Sequence, residues 1–146
     1  MEYTLVQIVH LLCATLFIGV VFFELVILEG IRKRLPEETM TAVETGLIGR
    51  VKYIMPWVVG TLFLSGIVLA FHHFKGVDTP FASSFHILLT IKIVLALSVL
   101  VHFVTALRSG VNGCMESTRF KYTHLSVAMH MFFIVVLAKL MFVVHW

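Results

Sequence analysis

Four long apolar runs constrain the fold of this 146-residue chain more than any other feature. The hydrocarbon core of a bilayer is about 30 Å thick, and an α-helix needs about 20 apolar residues to cross it. Such a helix satisfies its own backbone hydrogen bonds in lipid, whereas an open strand does not. The runs occupy about residues 5–28, 54–71, 85–107 and 125–145. We therefore predict an all-α fold, a four-transmembrane-helix antiparallel bundle that forms a single membrane domain over residues 1–146.

The composition also points to a membrane. The chain is 60% hydrophobic and only 13% charged, whereas a soluble domain carries about 25% charged residues. So few charges cannot cover a water-facing surface of this size, which excludes the soluble enzymes and the nucleic-acid binders. We expect membrane lipid as a partner and no nucleic acid.

The distribution of the cations predicts the orientation. The loops that face the cytoplasm carry an excess of Lys and Arg. Here the first and third loops hold eight cations and the middle loop holds Lys75 alone; the eight are Arg32, Lys33, Arg34, Arg50, Lys52, Arg108, Arg119 and Lys121. We therefore predict that both termini lie outside (N-out/C-out). In a bacterium this arrangement is a multi-pass protein of the inner (cytoplasmic) membrane with periplasmic termini.

The first loop contains a helix start. Pro36 is followed by Glu37 and Glu38, and proline at the first turn with acids next to it is typical of a helix N-terminus. We expect a helix that lies at the membrane surface. The second loop contains Gly76, whose neighbourhood predicts a short turn.

Two of the eight histidines predict a haem site. With about 1.5 Å of rise per residue and helices that alternate in direction, His102 and His130 fall at matching depth on neighbouring helices. Two imidazoles that face each other can bind a haem iron from opposite sides. The alternative is that each histidine forms a hydrogen bond to a backbone carbonyl or to a polar side chain of a neighbouring helix. We predict haem b ligation, with the hydrogen-bonding alternative left open.

His10 is the second candidate ligand. At about 100° per residue, Glu24 returns to within about 40° of its face, and Cys13 and Phe17 lie on the same stripe. A polar stripe inside a span is expected to point away from lipid. Lys92 shares the predicted level of His10, where an ammonium group could neutralise a haem propionate or an anionic substrate. One haem is expected if only His102 and His130 bind iron, and two are expected if His10 also binds one.

Copper is the other metal that the sequence suggests. Met129 and Met131 flank His130, and thioethers suit Cu(I). Neighbouring positions on a helix point about 100° apart, so these three side chains cannot chelate one ion together.

The chain resembles the small four-helix membrane proteins of the CopD and HemJ type. The resemblance extends over nearly the whole chain and rests on YTLVQIVHLLCATLFIG, RVKYIMPWVVGTLFLSGIVLA, IKIVLALSVLVHF and a terminal helix with AKLMF. It implies a haem or copper membrane protein. HemJ-type proteins are protoporphyrinogen oxidases that bind haem b and have a first-helix histidine and a third-helix lysine, to which His10 and Lys92 correspond.

Three functions are therefore expected from the sequence. The first is a haem b-binding membrane protein for electron transfer, with a quinol and a respiratory or periplasmic redox partner. The second is an enzyme, an oxidoreductase similar to the HemJ-type protoporphyrinogen IX oxidases. The third is a membrane protein of copper transport or resistance. The sequence leaves open a homo-oligomer.

Overall fold

The computed structural model describes residues 2–77, 79, 81, 83–111 and 118–144, without the side chains of residues 109–111 and 118–121. Every regular element in these residues is helical. Four helices are long and apolar enough to cross a membrane: Glu2–Arg32, Glu37–Phe74, Ser84–Arg108 and Tyr122–Leu140. The predicted all-α fold with four candidate spans is confirmed, and the orientation of the termini stays a prediction.

The helices follow one another in simple order. The first span consists of α1, a π-helical turn and α2 without interruption, and the other three spans lie in α3, α4 and α5. Their bounds are Glu2–Phe22 (α1), Phe23–Leu28 (π-helical turn), Glu29–Arg32 (α2), Glu37–Phe74 (α3), Ser84–Val111 (α4) and Thr118–Leu140 (α5).

The second span differs most from its predicted bounds of 54–71. The predicted start after Pro36 is confirmed, since α3 begins at Glu37 and has two acids in its first turn. The helix then continues for 38 residues to Phe74, through Pro56. The expected surface helix and the second span are therefore one element, which ends before Gly76. That glycine has a φ of +80°, a left-handed conformation that suits glycine after a helix end.

The fourth helix ends earlier than its predicted limit of 145. α5 stops at Leu140, and Phe142 and Val143 donate their N–H groups to the carbonyls three residues before them. The Ser84 hydroxyl donates to the Val144 carbonyl at 3.1 Å, so this carbonyl has a partner on another helix. His145 and Cys114 lie outside the described residues.

The chain divides into two compact units, Met1–His73 and Phe74–Trp146. In the first unit, Tyr3 contacts His73 and Arg32 contacts Glu44, so its two spans are antiparallel. In the second unit, the contact between Ser84 and Val144 gives the same antiparallel arrangement. The buried side chains among the described residues are mostly apolar, and Ser65 and Ser84 are buried with them. The apolar ones are Phe17, Val21, Leu28, Met40, Met55 and Val59 in the first unit, and Leu89, Val99, Val127, Met131 and Met141 in the second.

Candidate functional site

The second unit brings His102 of α4 and His130 of α5 together. The centroids of the two imidazole rings are 5.5 Å apart, and the ring planes are inclined by 46°. Both side chains are half-buried. The equal depths that the sequence predicts for the two residues thus correspond to direct neighbours across the helix pair.

Each imidazole is oriented by its own helix. His102 Nδ1–H donates to the Ser98 carbonyl at 2.7 Å, and His130 Nδ1–H donates to the Ser126 carbonyl at 2.7 Å. A carbonyl oxygen can only accept, so the proton of each ring is on Nδ1. In a neutral imidazole, Nε2 is then the nitrogen with the free lone pair.

The same two serines contact the opposite histidines. Ser98 Oγ lies 3.2 Å from His130 Nε2, and Ser126 Oγ lies 3.4 Å from His102 Nε2. With the hydroxyls as donors, four hydrogen bonds run alternately within and between the helices and close on themselves. We call Ser98, His102, Ser126 and His130 the serine–histidine circuit. It satisfies both imidazoles within the helix pair, as the hydrogen-bonding alternative requires.

A repeated sequence pattern produces the circuit. Residues 98–102 are Ser-Val-Leu-Val-His and residues 126–130 are Ser-Val-Ala-Met-His. Residues four apart share one face of a helix, so each serine and its histidine point to the same neighbour. Because α4 and α5 are antiparallel, each serine meets the histidine of the other helix. The valine after each serine is buried.

The two histidines were predicted from the sequence, and the two serines were not. The signal that could have found them is the shared Ser-Val-x-x-His spacing on neighbouring spans.

The circuit fits the donor chemistry of a haem iron. Metal-bound histidines usually donate their other ring N–H to a carbonyl or carboxylate, which fixes the tautomer and the ring orientation. His102 and His130 both have this arrangement, with Nε2 directed towards the helix interface. Their bonds to the serine hydroxyls are longer than those to the carbonyls, and longer hydrogen bonds are weaker. Iron binding at both Nε2 atoms would replace the two weaker bonds. Their role as ligands stays a prediction.

His10 is held by α3 in the first unit. Its Nδ1 lies 3.0 Å from the Leu62 carbonyl and 3.1 Å from Ser65 Oγ. The Leu62 carbonyl can only accept, so Nδ1–H is the donor in that bond, and the Ser65 hydroxyl donates to the Thr61 carbonyl at 2.8 Å. A Cβ on Gly66 would lie 3.1 Å from His10 Cε1. These polar partners of His10 on the second span were not predicted from the sequence.

The predicted stripe of the first span lies on its less exposed side. His10, Cys13 and Glu24 are half-buried and Phe17 is buried. Leu11, Leu12 and Leu16 on the other side are exposed. Glu24 belongs to the π-helical turn, an element that often occurs at functional positions.

Lys92 is half-buried on α4. It belongs to the second unit and His10 belongs to the first, so a shared role of these two residues stays a prediction.

The geometry around His130 does not support a copper site formed with its two neighbouring methionines. Met129 is half exposed, whereas Met131 is buried, so the two thioethers lie on different sides of α5. Within the described residues, no group of three or more His, Cys, Asp and Glu side chains could hold a metal ion.

At one end of the first unit, Tyr3 forms a cluster with His72 and His73. Its hydroxyl lies 3.0 Å from His73 Nε2, and its ring lies 4.6 Å from that of His72. The cluster gathers three side chains with hydrogen-bonding groups at the edge of a span.

No protein-family model matches the chain, and searches of curated proteins and of solved structures found no significant similarity. The resemblance to the CopD and HemJ type therefore stays a prediction from the residues.

Proposed function

We propose that the chain is a haem b-binding membrane protein for electron transfer, in which His102 and His130 are the axial ligands. The observation that supports this most is the common orientation of the two rings, each with Nδ1–H on a carbonyl of its own helix. This arrangement leaves both Nε2 lone pairs directed towards the helix interface, where a metal ligand needs them.

Haem supplies one-electron redox chemistry when it is bound. The task of the chain's own residues is to hold the two imidazoles at one level and to limit the access of water. Two histidine ligands leave no open position on the iron, which favours electron transfer over the binding of oxygen or substrate. The apolar side chains around the pair supply the low-dielectric surroundings that tune the potential.

The proposed electron donor and acceptor are chosen from the membrane location of the protein. A protein with four apolar spans meets lipid-soluble carriers, so a quinol is the proposed electron donor and a respiratory or periplasmic protein the proposed acceptor. The hydrogen-bonding groups of Tyr3 and His73 at the edge of a span support a quinol headgroup there. The location proposed is the bacterial inner membrane.

The test is haem binding by the purified protein in detergent. We expect a pyridine haemochrome of haem b, with the absorption spectrum lost equally in His102→Ala, His130→Ala and the double variant, because the two rings bind one iron. Retention of an unchanged spectrum in His130→Ala would contradict this function.

His10→Ala is the matched control. Its imidazole is bonded to α3 in the other unit, so a single haem at the deeper pair should survive the change. A second haem held by His10 would instead lower the haem stoichiometry of this variant by half.

A HemJ-like protoporphyrinogen oxidase is the second candidate. The fixed orientation of His10 against Leu62 and Ser65 favours it, since a base or ligand in an active site needs such support. Complementation of a strain that lacks this oxidase, abolished by Lys92→Ala, would favour the enzyme over the electron carrier.

A further inference from the structure

The hydroxyls of the serine–histidine circuit differ from three threonine hydroxyls in the described spans. The hydroxyls of Thr15, Thr90 and Thr105 donate to the carbonyl four residues earlier on their own helix, at 2.8 to 2.9 Å. This local bond is the usual choice of Ser and Thr inside a helix. Ser98 and Ser126 instead contact an imidazole on the neighbouring helix.

The hydroxyl and an iron ion require the same lone pair. In the tautomer that the carbonyls impose, Nε2 is the one acceptor atom of each ring. A serine hydroxyl that donates to Nε2 has to leave before a metal can bind there. The displaced hydroxyl has an alternative partner, because rotation of the serine side chain brings its hydroxyl to the carbonyl four residues earlier in the helix.

We propose that the hydroxyls of Ser98 and Ser126 act as a latch on the histidine pair. Each hydroxyl occupies the Nε2 atom of the opposite histidine and competes with haem iron for that atom. The proposal rests on the proposed function. The carbonyls of the same two serines keep the tautomer, so loss of a hydroxyl removes the competitor and leaves the ring orientation in place.

The first measurement is ¹⁵N NMR of the histidine side chains in haem-free protein, with assignments from His102→Ala and His130→Ala. Ser98→Ala should move the Nε2 resonance of His130 towards that of an imidazole nitrogen without a hydrogen bond, and should leave His102 nearly unchanged. Ser126→Ala should do the reverse. Thr105→Ala on α4 is the control and should move neither resonance, because its hydroxyl bonds to Val101.

The second measurement is haem titration of the same proteins. A neutral hydrogen bond contributes about 1 kcal/mol net, so Ser98→Ala and Ser126→Ala should each bind haem about fivefold more tightly than wild type. Ser98→Thr retains a hydroxyl and should restore the wild-type affinity. Serines that only support packing would instead give weaker or unchanged haem binding.

The two measurements distinguish failure of the proposed latch from failure of the proposed function. Haem binding by wild type with no gain in the alanine variants overturns the latch and leaves the function standing. A response of the histidine on the same helix, or of neither histidine, also overturns the latch. Absence of haem binding in every protein overturns the proposed function and the competition with iron, while the NMR signals still report whether the crossed hydrogen bonds exist.

Discussion

At the scale of single residues, His10 shows how a polar ring is accommodated inside a span. A polar group without a partner is expensive in lipid, and here α3 supplies a carbonyl and a hydroxyl within 3.1 Å. Gly66 makes the approach possible, since a Cβ at that position would lie 3.1 Å from the ring. Because two hydrogen bonds hold the imidazole, it has little freedom to move aside.

We expect alanine at Gly66 to stabilise the first unit less than alanine at Gly60, or not at all. Alanine in place of a helical glycine normally gains about 0.5–1 kcal/mol, and Gly60→Ala on the same helix should show this gain because nothing lies near its Cβ. At Gly66 the contact with His10 should offset the gain, so that the Gly66→Ala protein is less stable than the Gly60→Ala protein by about 1 kcal/mol. SDS titrations in detergent micelles, followed by circular dichroism, measure the difference.

Equal stability of these two alanine proteins would mean that the His10 ring moves aside without loss. In the double variant His10→Ala/Gly66→Ala the clash is absent, so the alanine at Gly66 should then behave like the alanine at Gly60.

At the scale of elements, an arginine joins the end of the first span to the long helix that follows. Arg32 in α2 contacts Glu44 of α3 and lies 3.5 Å from Glu29. The three groups are partly buried, and the contact sets where α3 packs against the first span. A partly exposed ion pair of this kind contributes about 1 kcal/mol or less.

A double-mutant cycle measures this contact. Arg32→Gln and Glu44→Gln should each lower the stability, and the double variant should lose less than the sum of the single losses, with a coupling of about 0.5–1 kcal/mol. High salt should reduce the coupling because the pair is partly exposed to solvent. Additive losses would show that the two charges act independently.

At the scale of the whole molecule, the length of α3 bears on the topology. Its 38 residues correspond to about 57 Å, nearly twice the hydrocarbon thickness of about 30 Å. Its first part therefore extends beyond the bilayer, and this part contains Arg50 and Lys52. Both are among the eight cations from which the orientation of the chain is predicted.

Reporter fusions test the predicted orientation. Alkaline phosphatase fused after Trp146 should be active, because the positive-inside rule places the C-terminus in the periplasm. The same enzyme inserted after Arg34 should be inactive. The reverse pattern would invert the assigned depth of every histidine without changing which residues are neighbours.

The sequence alone determined the all-helical fold, the four spans, the start of α3 at Glu37 and the equal levels of His102 and His130. These properties depend on the length of apolar runs, on local capping and on the rise per residue, all of which are fixed within one segment. The end of α5 at Leu140 escaped prediction because its apolar run continues beyond that residue, and the Val144 carbonyl there accepts a hydrogen bond from Ser84 of another helix.

Only the tertiary structure decided which polar groups meet across the helices. Three sets of contacts depend on how two helices are rotated about their axes. They are the pairing of each serine with the opposite histidine, the hydrogen bonds of Leu62 and Ser65 with His10, and the contact of Arg32 with Glu44. That rotation comes from packing of whole apolar surfaces, since the buried Val99 and Val127 lie beside the two serines. No single segment contains this information, because the free energy of the contact belongs to both helices together.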